Sequence, residues 1–143
     1  MTREEHHAID LKLFHRNFCP DRVREGSAQL GHEGVDVLIV SEGEGATERE
    51  RLWSPSRIDG DALRLCWGVA KERGLVFELR FDGELDRGGR EPGSVRGGWH
   101  ACFKRRAGAA ERPLPSHAWC ESPALVCSFA LIDLPTRSGA PWV

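Results

Sequence analysis

Residues 63–85 read LRLCWGVAKERGLVFELRFDGEL, and the folding of this stretch decides the architecture. Two runs alternate apolar and polar side chains on either side of a short polar segment ending in Gly74. Alternation puts every second side chain on one face, which is the period of a strand. Leu63, Leu65, Trp67 and Val69 form the first apolar set and Leu75, Phe77, Leu79 and Phe81 the second, so a β-hairpin is expected. Both sets are odd-numbered. They share a face only if paired residue numbers sum to an even value, for example Val69 with Leu75. That register leaves an odd-length loop in which Gly74 takes the positive φ of a bulged turn, so Val at this position should weaken the hairpin.

Outward from this stretch, residues 35–41 (VDVLIVS) and 124–134 (ALVCSFALIDL) are branched and apolar with little alternation. They are expected as central strands covered on both faces. Residues 99–105 (WHACFKR) alternate, which predicts a half-exposed strand with Trp99, Ala101 and Phe103 inward and His100, Cys102 and Lys104 on the other face. Residues 8–14 read as a strand through Ile9, Leu11 and Leu13, although His7, Leu11, Phe14 and Phe18 also fit a helical stripe. Pro20 and Asp21 suit a helix start and Leu30-Gly31 a helix stop, so one short helix is expected over 20–30. Glycine, proline and glutamate mark loops at 42–50, 86–98 and 107–116. The expected fold is α+β but mainly β: a single domain over 1–143 with a curled antiparallel sheet, half-barrel or sandwich, of about six strands and one short helix.

A chain of 143 residues buries roughly two-thirds of its extended surface, enough for a core without disulfides or metal. Its 40% apolar and 29% charged residues are ordinary globular values. The longest nearly apolar run, 124–134, is about half the ~20 residues of a membrane span. The first residues, MTREEHH, lack the apolar stretch of a secretory signal, so a cytoplasmic protein is expected. Five cysteines, an odd number set mostly in apolar runs, read as free thiols. A net charge of −2 supplies no global basic field for nucleic acid.

Several residues carry candidate chemistry. His100 and Cys102 with His117 and Cys120 are four side chains of the kind that hold tetrahedral zinc, although His117 and Cys120 are three apart and diverge on a strand. A cysteine hydrolase could be assembled from His117, Cys120 and Glu121, but no nucleophile elbow accompanies them. His6, His7, His15 and Cys19 form a second cluster whose simplest reading is a solvated terminus. No P-loop or dinucleotide fingerprint follows any strand, and no cofactor is expected. Lys104, Arg105 and Arg106 with Arg112 make a small basic patch that could grip a phosphate or an acidic partner. Trp67, Phe77, Trp99 and Phe103 could line the mouth of a curled sheet and hold a small molecule. Trp53 and Trp142 lie in segments without periodicity and are expected to pack. Glu42, Glu44, Glu48 and Glu50 form an acidic loop of the kind that steers a basic protein partner.

No convergent catalytic set emerges, so the expectation is a small soluble binding protein whose partner is another protein, of the toxin-immunity inhibitor type. The alternatives are a small-molecule-binding domain and a zinc-binding domain or hydrolase.

Overall fold

The structure, a computed structural model, describes residues 1–16, 18, 22–85, 95–105 and 117–134. Helix α1 (Arg3–His15) leads into strands β1 (Val23–Leu30) and β2 (Glu33–Glu42), a single 3-10 turn at Gly45–Thr47, and β3 (Arg49–Leu52). Helix α2 (Asp59–Arg73), strands β4 (Leu75–Leu85), β5 (Val95–Arg105) and β6 (His117–Cys120), and helix α3 (Pro123–Asp133) follow. Strands β1-β2-β3 form one antiparallel sheet. A second is the long β4-β5 pair, extended on the far edge of β5 by the short β6.

This is α+β, but neither mainly β nor curled: two separate small sheets and three helices replace the expected six-stranded half-barrel. The largest correction falls on the opening stretch, because residues 63–69 are helix. In α2 the buried positions are Asp61, Ala62, Leu65, Cys66, Val69 and Ala70, spaced three and four apart. Leu65 and Val69 fit both periods. Leu63 and Trp67 belong to the inward set only in a strand, and here they stand exposed at 41% and 71%. Acidic Asp59 and Asp61 in the first turn and basic Lys71 and Arg73 in the last complement the helix dipole. Gly74 does take a positive φ, 66°, as the left-handed cap of α2, and its N–H bonds the Ala70 carbonyl. A Cβ there would meet nothing within 4 Å, so Gly74→Val acts through the backbone alone. It is expected to lower stability by about 1–2 kcal/mol, read as a lower urea midpoint at constant slope. An unchanged midpoint would refute the cap.

Residues 124–133 are likewise helix, with Leu134 as the extended C-cap. Ser122 caps α3 by accepting from the Leu125 N–H at 3.2 Å, and Pro123 occupies the first turn. The helix is apolar nearly all round because α1, α2, β5 and β6 pack about it, and a buried helix needs no polar face. Asp59 accepts from the Ala124 N–H at 3.1 Å at one end, while the Arg16 guanidinium donates to the Ile132 and Leu134 carbonyls at the other. Residues 8–14 lie in α1, whose start is a capping box between Thr2 and Glu5. The helix expected over 20–30 is β1 from Val23 onward. The Gly31-His32 turn of its hairpin joins Leu30 to Glu33, with φ 66° at Gly31.

Elsewhere the alternation holds. Ala101 and Phe103 are fully buried and Trp99 half-buried on one face of β5, while Phe77 and Leu79 pack inward from β4 and Glu78 and Arg80 stay outside. Strand β2 is central, but only Leu38 and Val40 are buried. Val35, Val37 and Ile39 are half-covered on the opposite face. Among the described residues no helix is long and apolar enough to cross a membrane.

Candidate functional site

The segment after β3, Trp53-Ser54-Pro55-Ser56, is buried throughout and is tied to three elements. The Trp53 N–H donates to the Leu38 carbonyl of β2 at 2.8 Å, and the indole is core, as expected of it. Asp10 of α1 accepts from the Ser54 hydroxyl at 2.6 Å and the Ser56 N–H at 2.9 Å. Asp61 of α2 accepts from the Ser54 N–H at 3.1 Å and, through both oxygens, from the Arg51 fork at 2.7 and 2.9 Å. Burial pushes the Asp10 carboxyl above its ordinary range, with the Ser54 and Ser56 hydrogen bonds opposing. His6 is held below its ordinary value by burial and then by the Arg57 charge, and its Nδ1 lies 3.0 Å from the Ser56 hydroxyl.

Ser56, His6 and Asp10 have the composition of a nucleophile, a base and an orienting acid. Ser56 is fully buried, however, so no substrate reaches its hydroxyl, and the network acts as a clamp. Its exposed product is Arg57, whose Nε donates to the Ser54 hydroxyl at 3.0 Å and whose side chain is thereby aimed across the neighbouring sheet. Sequence reasoning did not find this clamp. The only local signal is a Ser-Pro-Ser-Arg run beside Trp53 with Asp61 seven residues on, and the other acid, Asp10, lies 44 residues from Ser54.

On the outer face of the β1-β2-β3 sheet, Ala28, Val35, Val37, Ile39 and Leu52 form the apolar floor of a groove of about 420 Å³. Arg3, His7, Asp36, Glu50, Arg51 and Arg57 complete its lining. His7 of the N-terminal cluster thus lies on a groove edge, His6 in the clamp and His15 in the last turn of α1, while Cys19 falls outside the described residues.

The acidic loop adjoins this groove through Glu50. Most of its charge is internally matched: Glu42 pairs with Arg51 at 2.7 Å and Arg64 at 3.5 Å, Glu48 with Arg22 at 2.6 Å, and Glu50 with Arg24 at 2.6 Å. The Arg51 hydrogen bond holds the Glu42 carboxyl below its usual value. Glu44 makes no ion pair among the described residues.

The aromatic candidates separate. Phe77 and Phe103 stack at 5.1 Å between centroids inside the second sheet, and Trp99 meets Phe81 at 5.2 Å. Trp67 shares a surface groove with Phe77, but from the exposed side of a helix, so the mouth of a curled sheet does not exist. His100 and Cys102 share a face of β5, where the Cys102 thiol donates to Glu78 at 3.6 Å and is pushed up by burial and that carboxylate. The ladder sets His117 opposite Ala101 and Cys120 opposite Trp99. No group of three or more potential metal ligands occurs among the described residues, and the side chains of His117 and Cys120, which the zinc and hydrolase sets both need, lie outside them. Lys104 is paired with Glu78 at 2.6 Å, while Arg106, Arg112 and Trp142 fall outside the described residues. Cys66, Cys102 and Cys127 are free thiols, and burial pushes the Cys66 thiol well up. Comparison with known proteins returned no match, whether to a protein-family model, a curated protein or a solved structure.

Proposed function

We propose that the chain is a binding protein that engages another protein through the outer face of the β1-β2-β3 sheet, in the manner of an inhibitor of the toxin-immunity type. The observation that carries this reading is the open groove over Val37, Ile39 and Leu52, an apolar floor with charges at its rim. A partner inserting an apolar side chain there would remove Leu52 and Ile39 from water, the usual arrangement of an anchor within a polar rim. Glu44, outside the internal ion pairs of its neighbours, would meet basic groups of the partner, and Arg3 and Arg57 acidic ones, which fixes orientation more than affinity.

The test is a photoreactive side chain at position 52, and separately at the exposed position 133, in cells that encode the chain. The expected result is one adduct of defined mass from position 52, absent from position 133, and lost on Val37→Glu. Adducts of equal yield from both positions, or none, would overturn the reading. A second reading, a small apolar acid in the same groove, is favoured by a volume within the ~300–1,000 Å³ range of ligand sites and by Arg3 and Arg57 at its edge. It predicts thermal stabilisation by aryl carboxylates that Arg57→Ala abolishes.

A further inference from the structure

Strand β4 is an edge strand, and among the described residues nothing pairs with its outer side along Leu75–Leu85. Helix α2 overhangs that edge. Between Leu63, Trp67 and Lys71 of the helix and Leu75, Val76 and Phe77 of the strand lies a groove of about 850 Å³. Trp67 is 71% exposed, and Phe81 further along the strand is 46% exposed. Such a helix covers the place of a strand beyond β4, and long apolar edges recruit strands.

The sequence of the edge names the strand that fits. Residues 77–81 read Phe-Glu-Leu-Arg-Phe, which is symmetric in type about Leu79 with opposite charges at 78 and 80. We propose that a second copy of this chain adds its own β4 antiparallel to this edge, on a two-fold axis through Leu79. In that register Glu78 of each copy faces Arg80 of the other, and Phe77 faces Phe81, each pair occurring twice, as an isologous interface requires. Phe77 and Phe81 are on the helix-covered face of the sheet, so Phe81 of the second copy enters the groove beneath Trp67. The two most exposed aromatic side chains among the described residues are covered by one operation. The two sheets become one continuous sheet with both α2 helices on the same side. Lys71 is left at the rim, free to remain solvated. This association is independent of the groove on the other sheet.

Charge reversal tests the register directly, by sedimentation of the full chain between about 1 and 100 μM, a range spanning ordinary weak dimers. Wild type is expected to dimerise. Glu78→Arg and Arg80→Glu each place like charges opposite one another twice in a homodimer, which is expected to weaken association at least about tenfold. An equimolar mixture of the two single variants restores both attractive pairs and is expected to form a heterodimer as tight as the wild-type dimer. Trp67→Ala, at a solvent-exposed site, is expected to give a folded monomer with an unchanged circular dichroism spectrum. A wild-type monomer throughout the range overturns the proposal; it is the result expected if another part of this chain covers the edge. Dimers that persist in both single variants, or a mixture that stays monomeric, overturn it equally.

Discussion

Arg51→Ala is expected to destabilise the chain by about 3 kcal/mol, one of the two largest losses available to a single side chain outside the apolar core. The reason lies with the partner left behind. Asp61 is 2% exposed, and its carboxylate faces three donors: the two arms of the Arg51 fork and the Ser54 N–H. Removing the guanidinium leaves a buried negative charge with a single amide hydrogen bond, and neither refolding of a long side chain nor the bulk of the solvent compensates it fully. The value sits at the low end for a broken buried pair because Arg51 itself is 32% exposed, so water can enter the space it vacates. Arg51→Lys keeps the charge but cannot present two parallel donors, and should recover less than half of the loss. Arg51→Ala combined with Asp61→Asn should be less destabilised than Arg51→Ala alone, because no buried charge remains. Urea midpoints of the four proteins decide the matter: equal losses for Ala and Lys, or a double variant worse than the single, would contradict the geometry.

Two glycines show why part of the fold could be read from the chain and part could not. Gly31 and Gly74 both have φ of 66°, Gly31 after Leu30 and Gly74 after the polar run Lys71-Glu72-Arg73. A left-handed residue ends a helix or turns a hairpin with the same dihedral, so the residue type specifies the conformation but not the element it terminates. Reading Gly74 as a hairpin turn and Gly31 as a helix stop inverted both. The ambiguity is compounded upstream: Leu65 and Val69 lie four apart, on one helical face and on one strand face alike. The exposure of Leu63 and Trp67 and the burial of Ala62, Cys66 and Ala70 separate the two. The chain carries helix end signals at Thr2 with Glu5, at Ser122-Pro123, and in the acids and bases flanking α2. Strand β1 carried no such signal. Among the described side chains of VREGSAQL only Val23 is buried, and the segment is a strand because β2 beside it supplies the hydrogen bonds.

Where burial is one-sided and the strand is long, alternation was legible and survived, as in the inward Phe77, Leu79, Ala101 and Phe103. Apolar continuity was not informative, because a strand covered on both faces and a helix packed on all sides leave the same run of side chains at 124–134. The clamp was illegible for a different reason. Asp10 and Ser54 are 44 residues apart, and nothing in either neighbourhood marks them as partners before α1 is laid against the end of β3.

That clamp yields the other large effect. Asp10→Ala is expected to lower stability by about 3 kcal/mol, since the Ser54 hydroxyl and the Ser56 N–H lose their buried acceptor and a cavity opens between α1 and the loop. Asp10→Asn preserves shape and one acceptor, and the hydroxyl can turn to receive the amide, so its loss should be about 1 kcal/mol. The two variants also separate charge from contact. Burial raises the folded-state pKa of Asp10 above the ordinary 3.8, so the folded chain holds this proton to higher pH than the unfolded chain does. Its contribution is therefore fully favourable below 3.8 and is lost as pH rises through the folded value, the reverse of an ordinary surface carboxylate. His6 slopes the other way: its folded pKa lies below 6.5, so stability falls as pH drops from 6.5 through the folded value. Subtracting the Asp10→Asn profile from the wild-type profile isolates Asp10. The difference in unfolding free energy should favour wild type most at low pH and shrink as pH rises. A difference that stays flat from acid to neutral pH would mean that Asp10 is ionised alike in both states and that the clamp holds by shape alone.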